Sequence, residues 1–81
     1  MKQKIKINAT FGANLKKLRK EHGYTQEQLV AKMQLLNQDI SRSIYAQIEC
    51  GTYNIKITEL VALKQIYNIS YDLFFESLTV E

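Results

Sequence analysis

TQEQLVAKM (residues 25–33) and SRSIYAQIE (residues 41–49) are the two stretches that decide the fold of this chain. In the first, Thr25 followed three residues later by Gln28 is a capping box, in which each side chain satisfies a backbone N–H at the start of a helix. In the second, Ser41 is a favourable helix N-cap. The pattern predicts two helices with sharply defined starts. The apolar stripe of the first of them, at i, i+4, i+7, is predicted to consist of Leu29, Met33 and Leu36.

The second of these helices has two chemically different faces. Tyr45 and Ile48 are apolar and are expected to point inward. Hydrophilic side chains cluster around the amino end instead, at Ser41, Arg42, Ser43 and Gln47. Taken without other information, this pattern suits both an ordinary solvated surface helix and a helix that reads nucleic acid.

Three more helices are predicted around this pair. An apolar stripe at i, i+4, i+7 indicates a first helix over about residues 9–22 that ends at Gly23. A mostly buried fourth helix begins at Ile57 and ends at Asn68, and Ser70 caps a short fifth one. Proline is absent, and the three glycines are interpreted as segment ends. The expected fold is an all-α bundle of five helices. The stripe of the first helix consists of Phe11, Leu15 and Leu18.

Size and composition exclude several classes of function. The 81 residues are enough for one small domain with a single core. The single Cys50 cannot form an internal disulfide, and with one histidine, His22, it does not make a zinc ligand set. We therefore expect no metal, no cofactor and a reducing, cytoplasmic location. No apolar run is long enough for a membrane span, and no nucleophile–base pair or phosphate-binding glycine loop indicates an enzyme.

Charge is distributed unevenly along the chain. Residues 1–20 carry six lysines and one arginine without an acid (+7), residues 21–56 sum to −1, and residues 57–81 sum to −3, for a net charge of +3. This asymmetry suggests one face directed toward a polyanion, although solubility alone also explains it. Lysines alternate with other residues in the segment 1–8, which is interpreted as a basic arm or a short edge strand, with the arm favoured.

Taken in order, these segments closely resemble the Xre/Cro-type helix-turn-helix domain of phage repressors and bacterial regulators. The resemblance covers about residues 9–76 and implies a compact five-helix bundle whose second and third helices read DNA. It places the DNA-binding domain at residues 9–77 and a tail at 78–81. The matching segments are LKKLR (15–19), Gly23, TQEQL (25–29), ISRSIYAQIE (40–49), Gly51 and NISYD (68–72).

The resemblance also implies roles for individual residues. Arg42 would pair with guanine and Gln47 with adenine, while Gln26 would touch a phosphate and brace the recognition helix. Arg19 and Glu49 occupy positions of an ion pair between the first and third helices. The complete set of expected DNA contacts is Thr25, Gln26, Ser41, Arg42, Ser43, Gln47, Tyr53 and Asn54.

The chain departs from the family pattern in three places. Residues 34–39 stand where a single turn residue is usual, so we expect a longer second helix or a loop that leaves the third helix in place. Val30 replaces a usual alanine and needs more room. Leu73 replaces a usual acidic residue beside Tyr71 and Phe75, which suggests a homodimer interface; a core aromatic cluster with one stray leucine is the alternative.

The function expected from these features is sequence-specific binding of double-stranded DNA. The chain would act as a bacterial or phage-encoded transcription regulator, most simply a repressor that binds a palindromic operator as a dimer. The length leaves no room for a separate small-molecule effector domain. The alternative is an antitoxin-like or repressor-partner module that binds another protein, with DNA binding secondary.

Overall fold

A computed structural model describes residues 4–5 and 9–78 of the chain. Residues 1–3, 6–8 and 79–81, which include most of the predicted arm and tail, lie outside the described residues. Four α-helices, two short strands and one 3-10 helix follow one another in the described part. In chain order they are β1 (Lys4–Ile5), α1 (Ala9–Glu21), α2 (Gln26–Leu35), α3 (Arg42–Glu49), β2 (Ile55–Lys56), α4 (Ile57–Tyr67) and the 3-10 helix Tyr71–Phe75.

Side-chain caps start α2 and α3 where the sequence predicts. Thr25 Oγ1 accepts a hydrogen bond from the Gln28 backbone N–H at 3.1 Å, and Gln28 Oε1 accepts one from the Thr25 N–H at 2.9 Å. Ser41 Oγ accepts from the Ile44 N–H at 3.1 Å. Each bond satisfies a donor that the first turn of a helix leaves unpaired. Both predicted starts are confirmed.

The first three helices end in the same backbone motif. Gly23, Asn37 and Gly51 each follow a helix with positive φ values of 76°, 64° and 78°. After α2, the Asn37 N–H donates to the Gln34 carbonyl and the Gln38 N–H to the Met33 carbonyl, which are the two bonds of a Schellman motif. Glycine adopts this left-handed conformation without steric cost, and asparagine is among the few other residues that tolerate it.

The long segment between α2 and α3 is accommodated by two extra helical residues and a short loop. The helix continues past Met33 to Leu35, and the Gln34 side chain then donates a hydrogen bond across the loop to the Ile40 carbonyl at 2.9 Å. The sequence places Leu36 on the buried stripe of α2, which is wrong. Because the helix ends at Leu35, both leucines turn outward, and Leu35 is 82% exposed.

Two other expectations need correction. Of the arm and the short edge strand predicted for residues 1–8, the favoured arm is wrong at Lys4–Ile5: these two residues pair in antiparallel fashion with Ile55–Lys56, a strand that is not predicted from the sequence. The five-helix count is not confirmed either, because Tyr71–Phe75 is a 3-10 helix. The tighter i→i+3 geometry is common in such short segments.

One apolar core joins all the helices. The predicted stripe of α1 is fully buried and packs with Leu29 and Met33 of α2, with Tyr45 and Ile48 of α3, and with the buried face of α4. Phe74 is the one residue of the 3-10 helix that enters this core. The packing leaves the amino ends of α2 and α3 together at the surface, where most of the predicted DNA-contact residues lie.

Candidate nucleic-acid interface

The amino end of α3 presents polar side chains while the opposite face is buried. Ser41, Arg42, Ser43 and Gln47 are exposed, whereas Tyr45 and Ile48 are completely inaccessible. The two-faced pattern in the sequence therefore corresponds to one buried and one exposed surface. An exposed helix start also offers unpaired backbone N–H groups and a positive dipole end, both of which favour anions.

Arg42 takes part in one long, exposed ion pair. Its Nε lies 3.8 Å from Oε1 of Glu27 in the first turn of α2, and both side chains are largely exposed. Exposed ion pairs of this kind contribute little to stability. The guanidinium can thus leave Glu27 at small cost to bond a base edge, and a bidentate Arg–guanine contact is a common specific contact in the major groove.

Gln26 contacts α3 directly. Its Nε2 donates a hydrogen bond to Oε1 of Glu49 at 3.1 Å, and the side chain is half-buried. The bracing function that the resemblance implies for Gln26 therefore has a specific partner, a carboxylate at the last residue of α3. Thr25, which precedes it, is exposed and uses its hydroxyl for the helix cap.

A buried ion pair fixes α3 to α1. Arg19 Nε lies 2.7 Å from Glu49 Oε2 and Nη2 lies 3.1 Å from Oε1, a bidentate arrangement with both side chains over nine-tenths buried. Arg19 Nη1 also donates to the Tyr24 carbonyl at 2.9 Å. The pair expected from the resemblance is present, and its geometry holds α3 against α1 rather than exposing charge to a ligand.

The ion pair changes the titration of its neighbourhood. Burial alone would raise the pKa of Glu49, but hydrogen bonds from Arg19 and Gln26 and the charge of Arg19 outweigh it, so the pKa lies below its usual range. The hydrogen bond with Glu49 raises the pKa of Arg19. Burial raises the pKa of the Tyr45 and Tyr67 phenols, which lie beside the pair and stay neutral.

Gly12 is a structural residue that the sequence analysis misses. It lies within α1, not at a segment end, and its Cα faces the carboxyl end of α3. A Cβ at this position would overlap the Glu49 carbonyl oxygen and lie 2.7 Å from the Glu49 carbonyl carbon. Only glycine allows the two backbones this approach. A glycine directly beside the apolar stripe of a predicted helix is the signal that could have indicated this close helix packing.

The remaining predicted contacts follow α3. Tyr53 is half-buried and packs against the core, whereas Asn54 is exposed, and both take part in interactions within the chain. They lie between the end of α3 and β2, which places them at the opposite end of α3 from Ser41. The candidate site therefore has three parts: the start of α2, the start of α3 and the segment 50–54.

The residues predicted for a dimer interface lie elsewhere, on the 3-10 helix. Tyr71, Leu73 and Phe75 are each 37–38% exposed. The Phe75 ring is 5.5 Å from that of Phe11 in α1, and two bonds from the Asn14 amide to backbone carbonyls hold this segment in place. These three residues are thus partly packed and partly exposed, so the interface stays a prediction.

A second exposed apolar surface is absent from the sequence predictions. Leu35 and Leu36 border a groove between the carboxyl end of α2 and α4, together with Tyr24 and Ile66. Lys32 lies on its rim with Nζ 5.4 Å from the centre of the Tyr24 ring. This groove results from the early end of α2, which leaves Leu35 and Leu36 exposed.

Other kinds of site find no support in the described residues. There, no group of three or more His, Cys, Asp or Glu side chains is placed to hold a metal ion. None of the helices in residues 9–78 has the length and apolar character that a membrane crossing needs.

Comparison with known proteins gives a family and a solved structure. Residues 12–77 match the helix-turn-helix domain family. The fold is similar to the crystal structure of the restriction-modification controller protein C.AhdI from Aeromonas hydrophila, with a TM-score of 0.71 and 25% sequence identity over 83% of this chain and 94% of that one. A search of curated proteins finds no match.

Proposed function

This chain belongs to the helix-turn-helix domain family, within which it resembles the Xre type, and we propose that it represses transcription by binding a palindromic DNA site as a homodimer. It is a DNA-binding transcription regulator and not an enzyme. The domain proposed to bind DNA is residues 9–77, acting in the cytoplasm of a bacterium.

The observation that carries the proposal is the exposed amino end of α3 on a helix that is otherwise fixed in place. Four polar side chains point outward there, while Tyr45 and Ile48 anchor the opposite face and Glu49 anchors the carboxyl end. A helix that enters the major groove needs both an exposed reading surface and a rigid seat. This arrangement supplies both.

Individual roles follow from position and chemistry. We assign base contacts to Arg42 and Gln47, as bidentate partners for guanine and adenine, each providing about 1–3 kcal/mol of discrimination. Ser41 and Ser43 would contact bases or sugar-phosphate beside them. Phosphate contacts are assigned to the start of α2 and to the segment after α3, at Thr25, Gln26, Tyr53 and Asn54.

Dimerisation is assigned to the 3-10 helix. Tyr71, Leu73 and Phe75 supply partly exposed apolar surface on a segment that Asn14 ties to α1. A two-fold dimer would place two copies of α3 about one DNA turn apart, ~34 Å, which suits a palindromic site. The controller protein C.AhdI, to which the fold is similar, supports a role in controlling gene expression.

A protein-interaction module is the second candidate. The groove bordered by Leu35 and Leu36 favours it, because an 82% exposed leucine beside other apolar side chains is a typical feature of a partner surface. An antitoxin-like protein would use this groove as its main binding site, with DNA binding secondary.

Selection from randomised duplex DNA tests the proposal. We expect the wild type to enrich one palindromic sequence, and Arg42→Ala to lose preference at one position in each half-site. Lys20→Ala, also an exposed cation, is the matched control and should weaken binding to all sequences equally. An unchanged preference in Arg42→Ala would overturn the assignment of the reading residue.

Salt dependence separates the two candidates. Neutralisation of about five phosphates predicts a slope of roughly −4 to −5 for the logarithm of affinity against the logarithm of salt concentration. A chain whose main partner is a protein would show little salt dependence with DNA and no enriched sequence.

A further inference from the structure

An acidic side chain lies on the surface that is proposed to face DNA. Glu27 is the second residue of α2, and its carboxylate is largely exposed. A negative charge in the first turn of a helix favours the helix dipole, but close to phosphates the same charge is repelled and lowers affinity. An acid at this place therefore weakens DNA binding unless it changes how a neighbouring side chain binds.

Arg42 is the neighbouring side chain on which Glu27 can act. Its Nε lies 3.8 Å from Glu27 Oε1, so Glu27 is the acidic partner of the proposed guanine-reading residue in the free protein. Both side chains line a cleft where the end of α1 and the starts of α2 and α3 meet, and Lys20 lines it as well. Among the described residues that line this cleft, Glu27 is the one acid.

We propose that Glu27 is a specificity-determining residue that acts through Arg42. This inference rests on the proposed function, in which Arg42 reads guanine. An arginine without an acidic partner can bind any nearby phosphate, which adds affinity for every sequence. Glu27 competes with the phosphates for Arg42. Arg42 then leaves Glu27 for the two acceptors of a guanine and stays with Glu27 opposite any other base.

The geometry of the pair suits a competitor that exchanges its partner. The Arg42–Glu27 pair is long and exposed, so a bidentate bond to guanine can displace it. A single phosphate offers Arg42 only another exposed ion pair of the same kind, so Glu27 competes with it. The Arg19–Glu49 pair, at 2.7 Å and buried, cannot exchange in this way. Glu27 thus lowers affinity for wrong sequences more than for the right one, which raises specificity.

The test measures affinity for two duplexes. One is the selected duplex, and the other carries adenine in place of the guanine that Arg42 reads in each half-site. The proteins are the wild type, Glu27→Gln, Arg42→Ala and the double variant. Glu27→Gln should bind the adenine duplex more tightly, and the guanine-to-adenine affinity ratio should fall about 2- to 5-fold per half-site. In the Arg42→Ala background, Glu27→Gln should leave this ratio unchanged.

A control variant and a stability measurement identify the cause. Glu21→Gln removes the same charge from an exposed position at the end of α1, outside the cleft, and should leave the ratio unchanged. The melting temperature of Glu27→Gln should stay near that of the wild type, because exposed ion pairs contribute little to stability. A purely structural role of Glu27 would lower the melting temperature without changing the base preference at one position.

The outcomes separate this inference from the proposed function. An unchanged ratio in Glu27→Gln, with a wild type that prefers guanine through Arg42, would overturn the role of Glu27 alone. An equal fall of the ratio in the Arg42→Ala background would also overturn it, since Glu27 would then act on the base directly. The same fall in Glu21→Gln would assign the effect to net charge. A wild type that enriches no sequence would overturn the proposed function itself.

Discussion

Gln26, the first residue of α2, donates a hydrogen bond to the carboxylate of Glu49, the last residue of α3, at 3.1 Å. The accepting oxygen, Oε1, also accepts a hydrogen bond from Arg19 of α1. Three helices therefore meet at one carboxylate. This contact sets the start of α2, where a phosphate contact is proposed, relative to α3, the proposed recognition helix.

Arg19→Ala should destabilise the protein and weaken DNA binding. Loss of one partner from a buried ion pair leaves an uncompensated charge and costs about 3–5 kcal/mol. Denaturant unfolding and DNA binding measured on the same preparation test this expectation. Lys20→Ala, an exposed neighbour in α1, should leave the free energy of unfolding nearly unchanged. An Arg19→Ala variant with wild-type melting temperature and affinity would contradict the anchoring role.

Gly12→Ala should also reduce stability, although alanine favours helix by about 1 kcal/mol over glycine. The added methyl group would overlap the Glu49 carbonyl oxygen, so α1 and α3 must separate, at a cost of about 1–3 kcal/mol. DNA affinity should fall as α3 shifts. Ala13→Gly changes an exposed position of the same helix and should affect stability only through helix propensity. A Gly12→Ala variant more stable than the wild type would exclude this close packing.

Protonation of Glu49 should contribute to the unfolding of the protein in acid. Its pKa is lower in the folded state than the ordinary value of 4.5, so its stabilising contribution is complete above that value and is lost as the pH falls through the folded-state pKa. Glu49→Gln should therefore give a free energy of unfolding that is lower near neutral pH but depends less on pH below about 4.5.

The control for the acid experiment is Glu27→Gln, because Glu27 is exposed. Its stability curve should run parallel to that of the wild type through the acid range. If the curves of Glu49→Gln and the wild type were parallel as well, the carboxylate would not be coupled to folding as the contacts indicate.

Leu73→Glu should convert a dimer into a monomer without loss of folding. Leu73 is 37% exposed, so a charge is tolerated in the monomer but not in an apolar interface. Sedimentation at tens of micromolar protein measures the mass. Leu35→Glu, at an 82% exposed leucine outside the predicted interface, should remain dimeric. A monomeric wild type, or a Leu73→Glu variant of unchanged mass, would place the interface elsewhere or exclude it.

The success of the sequence predictions depended on the range of the interactions involved. The starts of α2 and α3 were predictable because Thr25–Gln28 and Ser41–Ile44 are contacts between residues three apart. Leu36 was assigned to the wrong surface because the i, i+7 spacing was extended past the point where Asn37 ends the helix. The Arg19–Glu49 pair came only from the family resemblance, since nothing local joins residues thirty positions apart.

The sequence by itself determined the helix starts, most of the helix ends and the division of α3 into a buried and an exposed face, because caps, glycines and apolar periodicity act within a few residues. Only the tertiary structure decided that Gly12 lies against Glu49, that Gln26 and Arg19 share one carboxylate, and that Lys4 lies opposite Lys56. These relationships depend on how separate elements pack together. No spacing along the chain encodes them.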